Sequence, residues 1–241
     1  MSWADGPILG FDTETTGVDV HTDRIVTACT VMVRPPGHGR PAAHTWLIDP
    51  GIDIPDGAAA IHGITTSHAQ THGADPNIAL FEISARIAVA LSAGIPVVIF
   101  NAAYDLSILE AENVRHRLPT LTERMNPRRV GPIVDPFVLD RHLDPRRKGK
   151  RTLAATCDHY HVTLPAAHTA DADALAAARL ARVIGVKYPQ IARLRPGDLH
   201  ASQIAWHSDR QASFATWLKS QGRDATDVDG HWPIRRQRVM S

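Results

Sequence analysis

Ile8-Leu9-Gly10-Phe11-Asp12-Thr13-Glu14-Thr15-Thr16-Gly17 starts apolar and ends in a glycine turn. It predicts a buried strand that delivers two carboxylates, Asp12 and Glu14, to its carboxyl end. Alternate side chains of an extended chain point the same way, so both acids face one spot. Two bare carboxylates repel, and burying them together is costly unless a cation lies between them. An oxygen-only pair suits Mg²⁺ or Mn²⁺ and not Zn²⁺. Taken alone, an Asp-x-Glu in a chain with 25 acidic residues is also the pattern of a solvated surface pair.

Moving outward, 24–33 is rich in β-branched residues and ends at Pro35-Pro36, which predicts a second strand. A third is expected at 44–48, the three forming an antiparallel meander. Asp75-Pro76 then reads as an N-cap with proline in the first turn. The helix it opens shows an apolar stripe of Ile78, Phe81, Ile87 and Leu91 and stops at Gly94. The apolar run 96–100 fits a strand buried in a parallel sheet. A helix at 104–118, a strand at 130–134, a helix from Pro136 and helices at 152–160 and 171–183 complete the order. This succession implies an α/β fold, a mixed sheet of three antiparallel strands plus parallel ones, flanked by helices.

The chain has 241 residues, 44% of them hydrophobic and 21% charged, which excludes wholesale disorder. Its net charge of +1 excludes a globally cationic binder and leaves any nucleic-acid contact to a local patch. Its apolar runs fall short of the ~20 residues that span a bilayer, so no membrane role is expected. The start shows no basic, then apolar, secretory pattern. With Cys29 and Cys157 read as buried small apolar residues, a reducing cytoplasm is the expectation. Composition shifts near 193–197. The expected division is therefore a catalytic domain at 1–194 and a C-terminal appendage at 195–241, with a helix at 200–220 and a polar tail.

Two further places carry chemistry. Asp105 follows the 96–100 strand through Asn101-Ala102-Ala103-Tyr104, early in a helix, where an acid also simply complements the helix dipole. His168 precedes a helix whose first turn holds Asp173. A histidine beside a carboxylate cluster is a natural base for a water, and a capping loop is the plainer alternative. Arg141 to Arg151 holds six Lys or Arg in eleven residues, either a phosphate-tracking patch or a solvated loop. Trp206 and Trp217 are eleven apart in the last helix, suited to docking it on the core or to offering a stacking platform. His68 with His72, and His159 with His161, lack the partners of a zinc set.

The ordered combination resembles the DEDDh exonucleases, the DnaQ-like group of the RNase H-like superfamily. The stretches that carry it are Phe11 to Gly17, Ala60-Ile61-His62-Gly63-Ile64-Thr65, Phe100 to Asp105, and His168-Thr169-Ala170-Asp171-Ala172-Asp173-Ala174. The resemblance implies that Asp12, Glu14, Asp105 and Asp173 hold two divalent ions, Mg²⁺ or Mn²⁺, and that His168 takes the proton of the attacking water. It implies contacts to the terminal nucleotide from Thr13, Thr15, His62 and Ile64, with Asn101 and Tyr104 shaping the pocket. The expected activity is 3′-to-5′ removal of nucleoside 5′-monophosphates from single-stranded DNA or RNA 3′ ends, DNA slightly favoured. Two alternatives stay open: a subunit that works mainly by binding a DNA polymerase, and a small-molecule phosphodiesterase.

Overall fold

The computed structural model describes residues 2–35, 37–164 and 169–236. A short 3-10 turn (Trp3–Asp5) leads into β1 (Ile8–Thr15), β2 (Ile25–Val33) and β3 (Ala42–Leu47). Two short helices, α1 (Asp56–His62) and α2 (Thr66–His72), precede α3 (Pro76–Ser92). β4 (Val97–Val98), α4 (Ala102–Arg115), α5 (Leu121–Met125), β5 (Ile133–Val134), α6 (Pro136–Leu143) and α7 (Leu153–His159) follow. The chain ends with α8 (Ala170–Lys187), α9 (Pro189–Ala192) and α10 (Pro196–Ser220). No helix among the described residues is long and apolar enough to cross a membrane.

The sheet order is β3-β2-β1-β4-β5. β1 pairs antiparallel with β2, and β2 with β3, while β4 and β5 run parallel to β1. The expected mixed sheet is thus present, and β1, at its centre, is sandwiched between helical layers. Leu9 and Phe11 belong to one core, with Leu80, Ile83 and Leu106 of α3 and α4. Ile8 belongs to the other, with Val98 of β4 and the alanine-rich face of α8.

Gly10 sets the distance on the α8 side. A Cβ placed there would lie 2.4 Å from the Ala174 carbonyl oxygen and 2.8 Å from Val31 Cγ1. Only a residue without a side chain lets α8 approach β1 this closely. Because side chains alternate along a strand, Gly10, Asp12 and Glu14 share the α8 face while Phe11, Thr13 and Thr15 share the α4 face.

Several expectations are corrected. On α3 the buried stripe is Leu80, Ile83, Ile87 and Leu91, with Ala79 and Ser84, whereas Ile78 and Phe81 are 61% and 48% exposed. The Phe81 ring is instead covered by the Arg124 guanidinium at 4.4 Å. The helices α1, α2, α5 and α9 add four to seven residues each to the expected order.

The last helix starts at Pro196, one turn before the expected boundary, and lies along β5. Gln203 is fully buried there. Its Oε1 accepts the Asp135 N–H at 2.8 Å and its Nε2 donates to the Ile133 carbonyl at 2.9 Å. His200 Nδ1 accepts the Ile133 N–H at 3.2 Å. Two side chains thereby do for the edge of β5 what a further strand would do. The tail folds back as well, burying Trp232 in the α3–α4 core.

Candidate active site

Oxygen atoms of Asp12, Glu14 and Asp173 lie within 4.8 Å of one another. Their convergence follows from the elements that carry them. Asp12 and Glu14 occupy alternate positions at the carboxyl end of β1, on the α8 face. Asp173 stands in the first turn of α8, beside Ala174, the residue that Gly10 admits. A register irregularity between Glu14 and Thr15 ends the regular pairing just past the acids, the kind of bulge that re-aims side chains at a strand end.

Asp105 approaches from the other side of the sheet and stands outside that 4.8 Å group. Its Oδ1 accepts both the Thr13 N–H at 3.1 Å and the Thr13 hydroxyl at 2.7 Å. The alternation that turns Asp12 and Glu14 toward α8 turns Thr13 toward α4, and Thr13 anchors the fourth acid. Asn101 caps α4 in the left-handed conformation, φ 67°, which asparagine tolerates.

The electrostatics are those of a crowded acidic site. Burial, then the charges of Asp105, Asp173 and Glu14, hold Asp12 well above the usual carboxylate range. Burial and Asp173 push Glu14 up to about 7. Burial also raises Asp105 to about 7, against the pull of its Thr13 hydrogen bonds. Carboxylates this close fit a hard divalent cation held by oxygen atoms.

Of the substrate-contact candidates, Thr15, Tyr104 and His62 meet at the end of β1. The Thr15 hydroxyl donates to the Gly17 carbonyl at 2.7 Å, and the Tyr104 phenol reaches both groups, 2.6 Å from Thr15 Oγ1. His62 is buried, and its Nδ1 accepts the Ile64 N–H at 3.1 Å. Burial holds its pKa below the ordinary imidazole value, and the Thr15 backbone partly offsets this. Ile64 packs partly buried in a small cluster with Val26 and Ile54. The expected base, His168, lies outside the described residues.

Asp135 was missed in the sequence. Fully buried at the end of β5, it accepts the N–H groups of Asn101, Ala102 and Phe137, each at 2.9 Å, and the Trp232 indole at 3.2 Å. It therefore fixes the start of α4, and with it Asp105. The signal was present in Asp135-Pro136, the same cap-plus-proline pattern as Asp75-Pro76. The basic run is partly internal too. Arg147 and Arg151 both pair with the buried carboxylate of Asp140, at 2.8 and 2.7 Å, leaving Arg146, Lys148 and Lys150 exposed.

An RNase H-like sheet with carboxylates converging at its central strand end defines a nuclease-type domain. The chain belongs to the exonuclease family RNase_T, whose profile matches residues 9–181. The DNA polymerase III PolC-type protein of Streptococcus thermophilus strain ATCC BAA-491 / LMD-9 is 30% identical over 173 residues, 70% of this chain and 10% of that protein. The PolC-type protein of Streptococcus pyogenes serotype M18 is 28% identical over 184 residues, 75% of this chain and 11% of that protein. This chain thus spans only about a tenth of the length of these curated relatives. Among solved structures, E. coli exonuclease I in complex with a dT13 oligonucleotide aligns with TM-score 0.62 at 18% identity, covering 77% of this chain and 42% of that one. Exonuclease I from Methylocaldum szegediense aligns with TM-score 0.61 at 22% identity, covering 77% and 41%.

Proposed function

We propose that the chain is a 3′-to-5′ exonuclease that releases nucleoside 5′-monophosphates from single-stranded nucleic acid, preferring DNA. The observation that carries this reading is the gathering of Asp12, Glu14 and Asp173 at the end of β1, with Asp105 next to it on Thr13, in a chain of the exonuclease family. These four acids would hold two divalent ions, Mg²⁺ or Mn²⁺. Bound there, the ions would offset the charge of the phosphodiester and of the departing 3′ oxygen. Thr13 aims Asp105 and partly offsets the burial that raises its carboxyl. Thr15 and Tyr104, tied to the Gly17 carbonyl, form the rim against which the terminal nucleotide rests, beside His62, Ile64 and Asn101. His168 accepts the proton of the attacking water. The water oxygen bonds to phosphorus, the bond to the 3′ oxygen breaks, and that oxygen is protonated. The preference for DNA leans on the likeness to an exonuclease I that binds a dT13 oligonucleotide.

Incubating the purified protein with 3′- and 5′-labelled single-stranded DNA and RNA, in Mg²⁺, Mn²⁺ or EDTA, tests all of this. The expected result is stepwise shortening from the 3′ end that EDTA stops. Shortening from the 5′ end, or undiminished hydrolysis in EDTA, overturns the reading. A second reading, work in concert with a DNA polymerase, is favoured by the PolC-type relatives. It predicts co-purification with a polymerase.

A further inference from the structure

The three parallel strands β1, β4 and β5 all end at the same rim of the sheet, where ligands of open α/β folds lie. Beyond β4 and β5 that rim continues into two adjoining cavities between α6 and α10. One, of about 230 Å³, runs from Asn101 and Ala103 past Phe137 to Phe214. The other, of about 290 Å³, is lined by Arg141, His142, Trp206 and Arg210. They share Phe137, His207 and Gln211, so they form one groove that begins at a residue of the candidate active site.

Its chemistry is unusual for a core surface. The Arg141 guanidinium lies 4.2 Å over the Phe137 ring, and its Nε is buried with no hydrogen-bond partner. Burial and the approach of Arg210 both lower its proton affinity. Neither arginine has an ion pair among the described residues, whereas Arg147 and Arg151 spend theirs on Asp140. Aromatic faces accompany the charge. His142 stacks on Trp206 at 3.8 Å, and the exposed rings of Phe214 and Trp217 stack at 5.8 Å. The acids of the groove, Asp227 and Asp229, line only the Asn101 end, beside Arg235. There Asp229 is held by His231 and the Arg236 N–H. Two guanidinium groups without an ion pair among the described residues, Arg141 feeling only the more distant charges of Asp140 and Asp135, stand beside aromatic rings and match the alternation of phosphate and base in a single strand.

We propose that the α6–α10 groove carries the single strand upstream of the 3′ end, with Arg141 and Arg210 on a backbone phosphate and the neighbouring rings stacking its bases. This extends the exonuclease reading and rests on it for the direction of the strand.

The test uses the full chain and a labelled oligodeoxythymidylate of about 12 nucleotides, within the span of one strand-binding site. Affinity is read by fluorescence anisotropy in EDTA across a salt series. Arg210 is exposed, so R210Q retains the fold, and R141Q/R210Q is checked by its thermal melt. The expected result is binding weakened about 10-fold in the double variant, with a log–log salt slope shallower by about 0.7 for each phosphate no longer neutralised. In Mn²⁺ the rise should appear in KM for the long strand more than in kcat. Parent-like affinity and slope in both variants overturn the groove, and hydrolysis by the parent in the same series leaves the exonuclease reading standing. Arginine-dependent binding by a parent that hydrolyses nothing supports the groove and removes the exonuclease reading. A parent that binds polyglutamate through Arg210 but no oligonucleotide also overturns the proposal, in favour of an acidic protein partner.

Discussion

At the scale of single residues, the acids of this site are held at a cost that a bound cation would relieve. Glu14 and Asp105 keep protons up to about pH 7, far above the range in which an unfolded chain gives them up. The folded state therefore binds more protons than the unfolded one between about pH 4 and pH 7, and stability falls as pH rises through that window. In EDTA the melting temperature should drop between those limits, and Mn²⁺ should restore it at the upper end. A flat melting profile in EDTA would contradict the crowding. Asp12→Asn separates the two roles of the cluster. It should lower kcat by ~10²-fold or more while raising the metal-free melting temperature above pH 7, because one repelling charge is gone. Activity and stability moving together would assign Asp12 to the fold alone. Asp12 and Glu14 were legible in the sequence because strand alternation places them without knowledge of any other element. Asp135 was not, because its part in holding α4 exists only where Asn101, Phe137 and Trp232 meet.

At the scale of elements, the site depends on how near α8 comes to β1. Gly10→Val places a branched side chain against the Ala174 carbonyl and Val31. It should destabilise the protein by about 3 kcal/mol, and it should weaken Mn²⁺ binding in calorimetry even at temperatures where the fold persists. Unaltered metal affinity would show that Asp173 is positioned from elsewhere. The elements also differ in how plainly the sequence announces them. β1, β2, β4, α6 and α7 show themselves by apolar runs or cap residues. Helices such as α1, α5 and α9 span two turns or less, too short to reveal a period, and owe their existence to what they pack on. On α3 the large side chains Ile78 and Phe81 drew half of the stripe off the buried face that Ile87 and Leu91 do occupy. Small residues, Ala79 and Ser84, occupy the contact because neighbouring elements come close there.

At the scale of the whole molecule, the C-terminal segment completes the sheet. Gln203→Ala would leave the Asp135 N–H and the Ile133 carbonyl buried without partners, at a cost of about 3 kcal/mol measured by urea unfolding. Gln203→Glu keeps the acceptor for Asp135 but loses the donor to Ile133, and should fall between. A parent-like midpoint for both variants would mean that α10 only rests against β5. The long last helix was visible in the sequence. Its bonding to the strand edge was hidden, because an isolated glutamine carries no sign of which backbone groups it will meet.

Closing one margin of a five-stranded sheet with an amide and an imidazole leaves the two flanks with different fates. On the β5 flank, a foreign chain has no vacant ladder to extend. At the opposite flank β3 is the terminal strand, and its first four residues, Ala42 to Thr45, are exposed. Lateral growth, whether a swapped dimer or an early aggregate, therefore has its starting point at β3, the side of the molecule away from the proposed strand path.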